Sequence, residues 1–119
     1  MKKNILLIGL LITFTSCLKH KAEPIPVVPP TCPDTILFST QVMSEIFTTS
    51  CNGCHSSGGS GASAGIFTNH ANIAIDADVI LKTLKHESGV SAMPIGGDKL
   101  NDNLIETFEC WIEQGKMNN

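Results

Sequence analysis

The segment TTSCNGCHSS (48–57) sets two cysteines two residues apart and puts a histidine directly after the second. Thiols and an imidazole this close usually hold something, and what they hold decides the architecture around them. The residues before the segment place apolar side chains at Phe38, Val42, Met43, Ile46 and Phe47. That is a helical stripe over 36–49, and it runs straight into Cys51. After His55, SSGGSGASAG (56–65) has no periodicity and reads as loop.

Further along, Thr68 or Asn69 is expected to cap a short helix through Ile75, and Asp76 or Asp78 a second one to about His86. Ile80, Leu81 and Leu84 share one face of that second helix, and Gly89 is its stop. SAMPIGGDK (91–99) reads as loop again, because the residue before a proline is held extended and paired glycines break helices. The last helix is the clearest. Asn101 or Asp102 caps it, Leu104, Ile105, Phe108, Trp111 and Ile112 form its apolar stripe, and Gly115 ends it. The fold class is therefore all-α, with a helix at each end of the domain and irregular loops between. Such a domain of about 90 residues has a thin core, so something else must fill its middle and staple it.

The 119 residues suffice for one domain at most. Residues 1–16 read as a signal peptide, with Lys2 and Lys3 ahead of an apolar run over 5–14. About ten apolar residues fall short of the roughly 30 Å of hydrocarbon that a membrane helix must cross. Cys17 follows FTS, which resembles the bacterial lipoprotein pattern and makes Cys17 the expected lipidation site, with a plain signal peptide as the alternative. Residues 17–30 then form a lipidated N-terminus and tether. Four prolines over 18–30 favour extended geometry, about 3.1 Å per residue, or roughly 40 Å of spacer. The domain proper is 31–119. Export places it where thiols tend to oxidise. The location expected is the cell envelope, on the periplasmic side, and Leu18 leans weakly toward the outer membrane.

The net charge of −3 hides an asymmetry. From residue 31 onward there are ten acids against Lys82, Lys85, Lys99 and Lys116, which makes −6. An acidic domain argues against nucleic acid as a partner. It suits a partner with a basic docking surface.

Three chemistries compete for Cys51, Cys54 and His55. Structural zinc wants four ligands, commonly two close pairs, and only one pair is present. A thiol–disulfide enzyme sets its cysteines at a helix start after a strand, whereas a helix leads into Cys51. Covalent haem uses every part of the motif. Each thiol joins one vinyl group, and the next residue, His55, ligates iron from one face.

The chain resembles the small monohaem c-type cytochromes, class-I-like and lipoprotein-anchored. The residues that carry the resemblance are TCPDT, CNGCH, MPIGGDKL and CWIEQG, and together they span 31–119. The resemblance implies a cytochrome c-like fold with crossing N- and C-terminal helices around one covalently bound haem c. It implies Met93, 38 residues after His55, as the second axial ligand. The residues themselves agree, because a ligand on the far face must come from a loop, which Pro94 stiffens and Gly96 and Gly97 let pass close to the ring. Met43 and Met117 are expected in packing or in a mobile C-terminus, and His70 and His86 at the surface. His55 should donate its other ring N–H to a carbonyl near 65–67, since no proline lies between His55 and Met93.

With His55 and Met93 as ligands, iron has no open position, and the expected function is one-electron transfer between envelope redox partners, with no enzymatic reaction. The rival is a five-coordinate haem enzyme or gas sensor, in which Met93 stands away from iron. A third reading is an anchored binding module with a Cys51–Cys54 disulfide. Cys110 lies opposite the Leu104–Phe108–Trp111 stripe, at about 100° per residue, so it is not placed as an ordinary core cysteine. In the sequences that this chain resembles, the partner of a cysteine such as Cys32 opens the last helix, where this chain has Asn103. A Cys32–Cys110 disulfide and two separate thiols therefore both stay open.

Overall fold

The structure is a computed structural model that describes residues 31–32 and 35–119. The expected signal peptide, Cys17 and the tether lie outside the described residues. Among the described residues there are three helices, one short 3₁₀ turn (Ala62–Ala64) and no strand. None of the helices is long and apolar enough to cross a membrane.

The leading helix spans Phe38–Thr48 and buries Phe38, Val42, Ile46 and Phe47, four of the five stripe residues. Its winding differs from the α-helix that the periodicity predicts. Val42 N–H reaches back five residues to Leu37 O at 3.4 Å, and the segment is a π-helix, a rare geometry at this length. Side chains at its end also reach five residues back: Thr49 Oγ1 donates to Ser44 O at 3.0 Å. Met43, half-buried, packs against the core as expected.

Helix α1 (His70–Leu84) is one element where two short ones were expected. Asn69 caps it by accepting from Asn72 N–H at 3.0 Å. Asp76 and Asp78 lie in its interior and cap nothing. The reason is continuity of the apolar face. Ile73, Ala77, Ile80 and Leu84 are buried at spacings of four, three and four, so one uninterrupted helix covers more core than two.

Helix α2 (Asp102–Glu113) is capped by Asn101, whose side chain accepts from Asn103 N–H. It packs against both the leading helix and α1. Phe108 meets Phe47 edge-on at 5.5 Å, and Trp111 lies 5.5 Å from both Phe38 and Phe108. Trp111, Phe108 and Phe47 are fully buried, so the first and last helices share one aromatic core.

Beyond α2 the chain turns at Gly115 (φ 91°) and folds back. Met117 O accepts from Trp111 Nε1 at 2.8 Å, although the Met117 side chain itself is exposed and fills no core. Asn119 closes onto the leading helix. Its Oδ1 accepts from Phe38 N–H at 2.8 Å and its backbone O from Ser39 N–H at 3.0 Å. These are N–H groups that the first turn of a helix leaves without intrahelical partners.

Cys32 and Cys110 are disulfide-bonded, with Cα atoms 5.4 Å apart. Cys110, expected opposite the apolar stripe and outside the core, is instead 2 % exposed and belongs to the core cluster while bonded to Cys32. His70, expected at the surface, is half-buried at the helix junction. Its Nε2 bonds Lys116 O at 2.8 Å, and its ring lies edge-on to Phe38 at 4.8 Å and to Trp111 at 5.8 Å.

Candidate cofactor site

The leading helix delivers the motif as a tight turn. Phe47 O accepts from both Cys51 N–H and Asn52 N–H at 2.9 Å. Cys51 O then accepts from Cys54 N–H at 3.1 Å and His55 N–H at 2.9 Å. Cys51, Cys54 and His55 are thereby brought onto one turn by backbone bonds alone.

The glycine-rich loop returns over this turn. Gly61 N–H donates to Cys54 O at 3.0 Å, and Phe67 N–H to His55 O at 2.8 Å. Phe67 stacks on the imidazole, centroids 4.6 Å apart at 24°. Gly61 passes so close that a Cβ there would sit 3.0 to 3.2 Å from three ring atoms of His55. Gly65 (φ 147°) leaves no room either, since a Cβ would lie 2.5 Å from the Phe67 ring. Two glycines thus let backbone and aromatic ring close on one histidine.

His55 is 8 % exposed, and its Nδ1 lies 3.0 Å from Gly65 O, within the stretch where the acceptor was expected. A carbonyl only accepts, so Nδ1 carries the proton and a neutral ring keeps its free lone pair on Nε2. No hydrogen bond to Nε2 is made among the described residues. The ring is therefore oriented, packed and left with one donor nitrogen to offer.

The two motif cysteines are free thiols, although Cys32 and Cys110 are joined. Cys54 is exposed. Cys51 is half-buried, and burial pushes its thiol up to about 11. The two thiols are not bridged to each other, and burial acts on Cys51 alone. Among the described residues no three His, Cys, Asp or Glu side chains gather as a candidate metal centre. Asn52, between the cysteines, has a buried Oδ1 with no hydrogen-bond partner among the described residues.

Met93 lies on a separate loop, half-buried against the core. No hydrogen bond or ring contact ties it to the motif turn among the described residues. Its backbone is tied to the end of α1 instead. Met93 N–H donates to Thr83 O at 3.1 Å, and Met93 O accepts from His86 Nε2 at 3.0 Å. His86 is at the surface, as expected, but it is engaged there. Sequence reading did not single out Gly61, Phe67 or Thr83. The glycine run 58–61 was a signal of close backbone approach, whereas nothing local marks Phe67 as the partner of an imidazole 12 residues away. No protein family, no curated protein and no solved structure matches this chain.

Proposed function

We propose that the protein is a monohaem c-type cytochrome, a one-electron carrier of the cell envelope held to a membrane through lipid on Cys17. The observation that carries this is the state of His55. Its Nδ1 is fixed on Gly65 O and its Nε2 makes no hydrogen bond among the described residues, four residues from one free thiol and adjacent to another. This donor set fits the group: two unbridged thiols for two thioethers and one oriented imidazole for iron.

In this reading Cys51 and Cys54 would hold haem c covalently, and His55 and Met93 would ligate its iron. Haem supplies reversible one-electron chemistry when bound. The residues do the rest. The Gly65 carbonyl holds the imidazole in one tautomer and strengthens it as a ligand. The Met93 thioether favours the ferrous state. The leading helix and α2 share the core behind the motif, in keeping with a cytochrome c-like arrangement of crossing terminal helices around the ring. The acidic surface, −6 over 31–119, suits redox partners with a basic docking face.

The test is attachment. Protein matured with cytochrome c assembly machinery is expected to give a pyridine haemochrome of the two-thioether type and to keep its haem through acid–acetone extraction. Haem that is stripped by that extraction, or never incorporated, overturns the proposal.

A further inference from the structure

Helix α1 ends in an unusual way. His86, one residue past its cap, has φ 57°, the left-handed region that glycine or asparagine normally takes at this position. The bonds of the turn are those of a glycine-type stop: His86 N–H to Thr83 O at 3.2 Å and Glu87 N–H to Lys82 O at 3.0 Å. A left-handed conformation costs energy for any residue with a Cβ, and at His86 the side chain makes a contact beyond the helix stop itself. Its Nε2 reaches Met93 O at 3.0 Å, while the carbonyl of Thr83, in the last turn of the same helix, takes Met93 N–H at 3.1 Å.

Both backbone polar groups of Met93 therefore hang on one helix end. That end is itself anchored. Leu84 is buried in the core, and Lys85 pairs with Glu109 of α2. The loop from 87 to 92 contributes little of its own, with Gly89 at φ 89° and residues 91 and 92 exposed. The Met93 backbone is thus held by the end of α1, while its side chain packs against the core.

We propose that His86 is a positioning residue for Met93: its Nε2 donates to Met93 O and, with Thr83 O, clamps that residue's backbone so that the thioether is presented as a ligand. The proposal rests on the reading of Met93 as an iron ligand. A neutral imidazole with its proton on Nε2 and an imidazolium both donate here, so the clamp needs no particular charge on His86.

Two substitutions separate positioning from helix termination. His86→Gly removes the donor and the left-handed cost together, so the helix end is at least as stable as before. His86→Gln keeps a donor at similar reach and keeps the cost. The readouts on the ferric holoprotein are the weak red charge-transfer band of methionine-ligated haem and the affinity for added imidazole, which displaces that methionine. His86→Gly is expected to melt at or above the wild-type temperature yet bind imidazole about fivefold more tightly, the order expected for one partly exposed hydrogen bond. His86→Gln is expected to stay within about twofold of wild type, on the same scale of one retained hydrogen bond. An imidazole affinity of His86→Gly equal to wild type, with the band intact in both, overturns the clamp and leaves the methionine ligand standing. A wild-type protein that lacks the band and binds imidazole as Met93→Ala does overturns the ligand reading and the clamp with it.

Discussion

His55 shows how a ligand is made from backbone. Three elements converge on its ring: the Gly65 carbonyl on Nδ1, Phe67 on one face, and the Gly61 backbone within contact of the ring. None of these is a charged or metal-ligating side chain, so the polar part of the site lies mainly in loop geometry. Gly61 is the tightest point. A Gly61→Ala change sets a methyl 3.0 to 3.2 Å from the imidazole, and either the ring or the loop must give way. The expected cost is about 1–3 kcal/mol, as for overpacking in a core. Urea unfolding of the alanine variant reads it directly; a midpoint equal to wild type would mean that the loop yields without resistance.

At the scale of elements, the leading helix is capped from a distance. Leu37 stands at its N-cap position and makes no side-chain cap bond. The role passes to Asn119, 81 residues away from Phe38, whose Oδ1 takes the Phe38 N–H and whose Nδ2 donates to Ile36 O at 3.3 Å. Asn119 therefore serves the helix that leads into the motif. Asn119→Ala is expected to cost about 1 kcal/mol, the usual loss for an N-cap, with faster amide exchange confined to the first turn of that helix. Uniform exchange along the chain, with no change at Phe38, would show that the cap is dispensable. The same comparison explains why α1 is one helix. Aspartates signal starts locally, but four buried side chains on one face outweigh such a signal.

Across the described residues, the core mixes aliphatic with aromatic side chains, and a disulfide closes most of it. Cys32–Cys110 spans 78 residues, so in the chain-entropy account it stabilises by about 4.5 kcal/mol. Replacing both cysteines with serine is expected to lower stability by about 2–5 kcal/mol, and a reductant is expected to do the same to wild type. Thermal melts with and without reductant measure both effects; a double variant that melts with wild type would remove the bridge from any account of stability. Cys51 and Cys54 stay outside this bridge, which leaves them available for the proposed attachment.

The sequence by itself determined what is local. Apolar periodicity placed the stripes of the leading helix and of α2, the pairs Thr68/Asn69 and Asn101/Asp102 marked two helix starts at which Asn69 and Asn101 make the cap bonds, and CNGCH brought two thiols and an imidazole together by spacing alone. The acceptor for His55 was expected, by contrast with the proline-flanked carbonyl of the cytochromes that the chain resembles, as a backbone carbonyl near 65–67, and Gly65 O fills that place. The tertiary structure alone decided what distant residues do to one another. It merged two expected helices through a shared core face and wound the leading helix more widely than its periodicity predicts. It buried Cys110 in the core and bonded it to Cys32, drew His70 in among Phe38 and Trp111, and hung Met93 on Thr83 and His86. Local pattern encodes propensity and spacing, whereas these outcomes depend on which surfaces exclude water against each other, and that is settled only when the whole chain has packed.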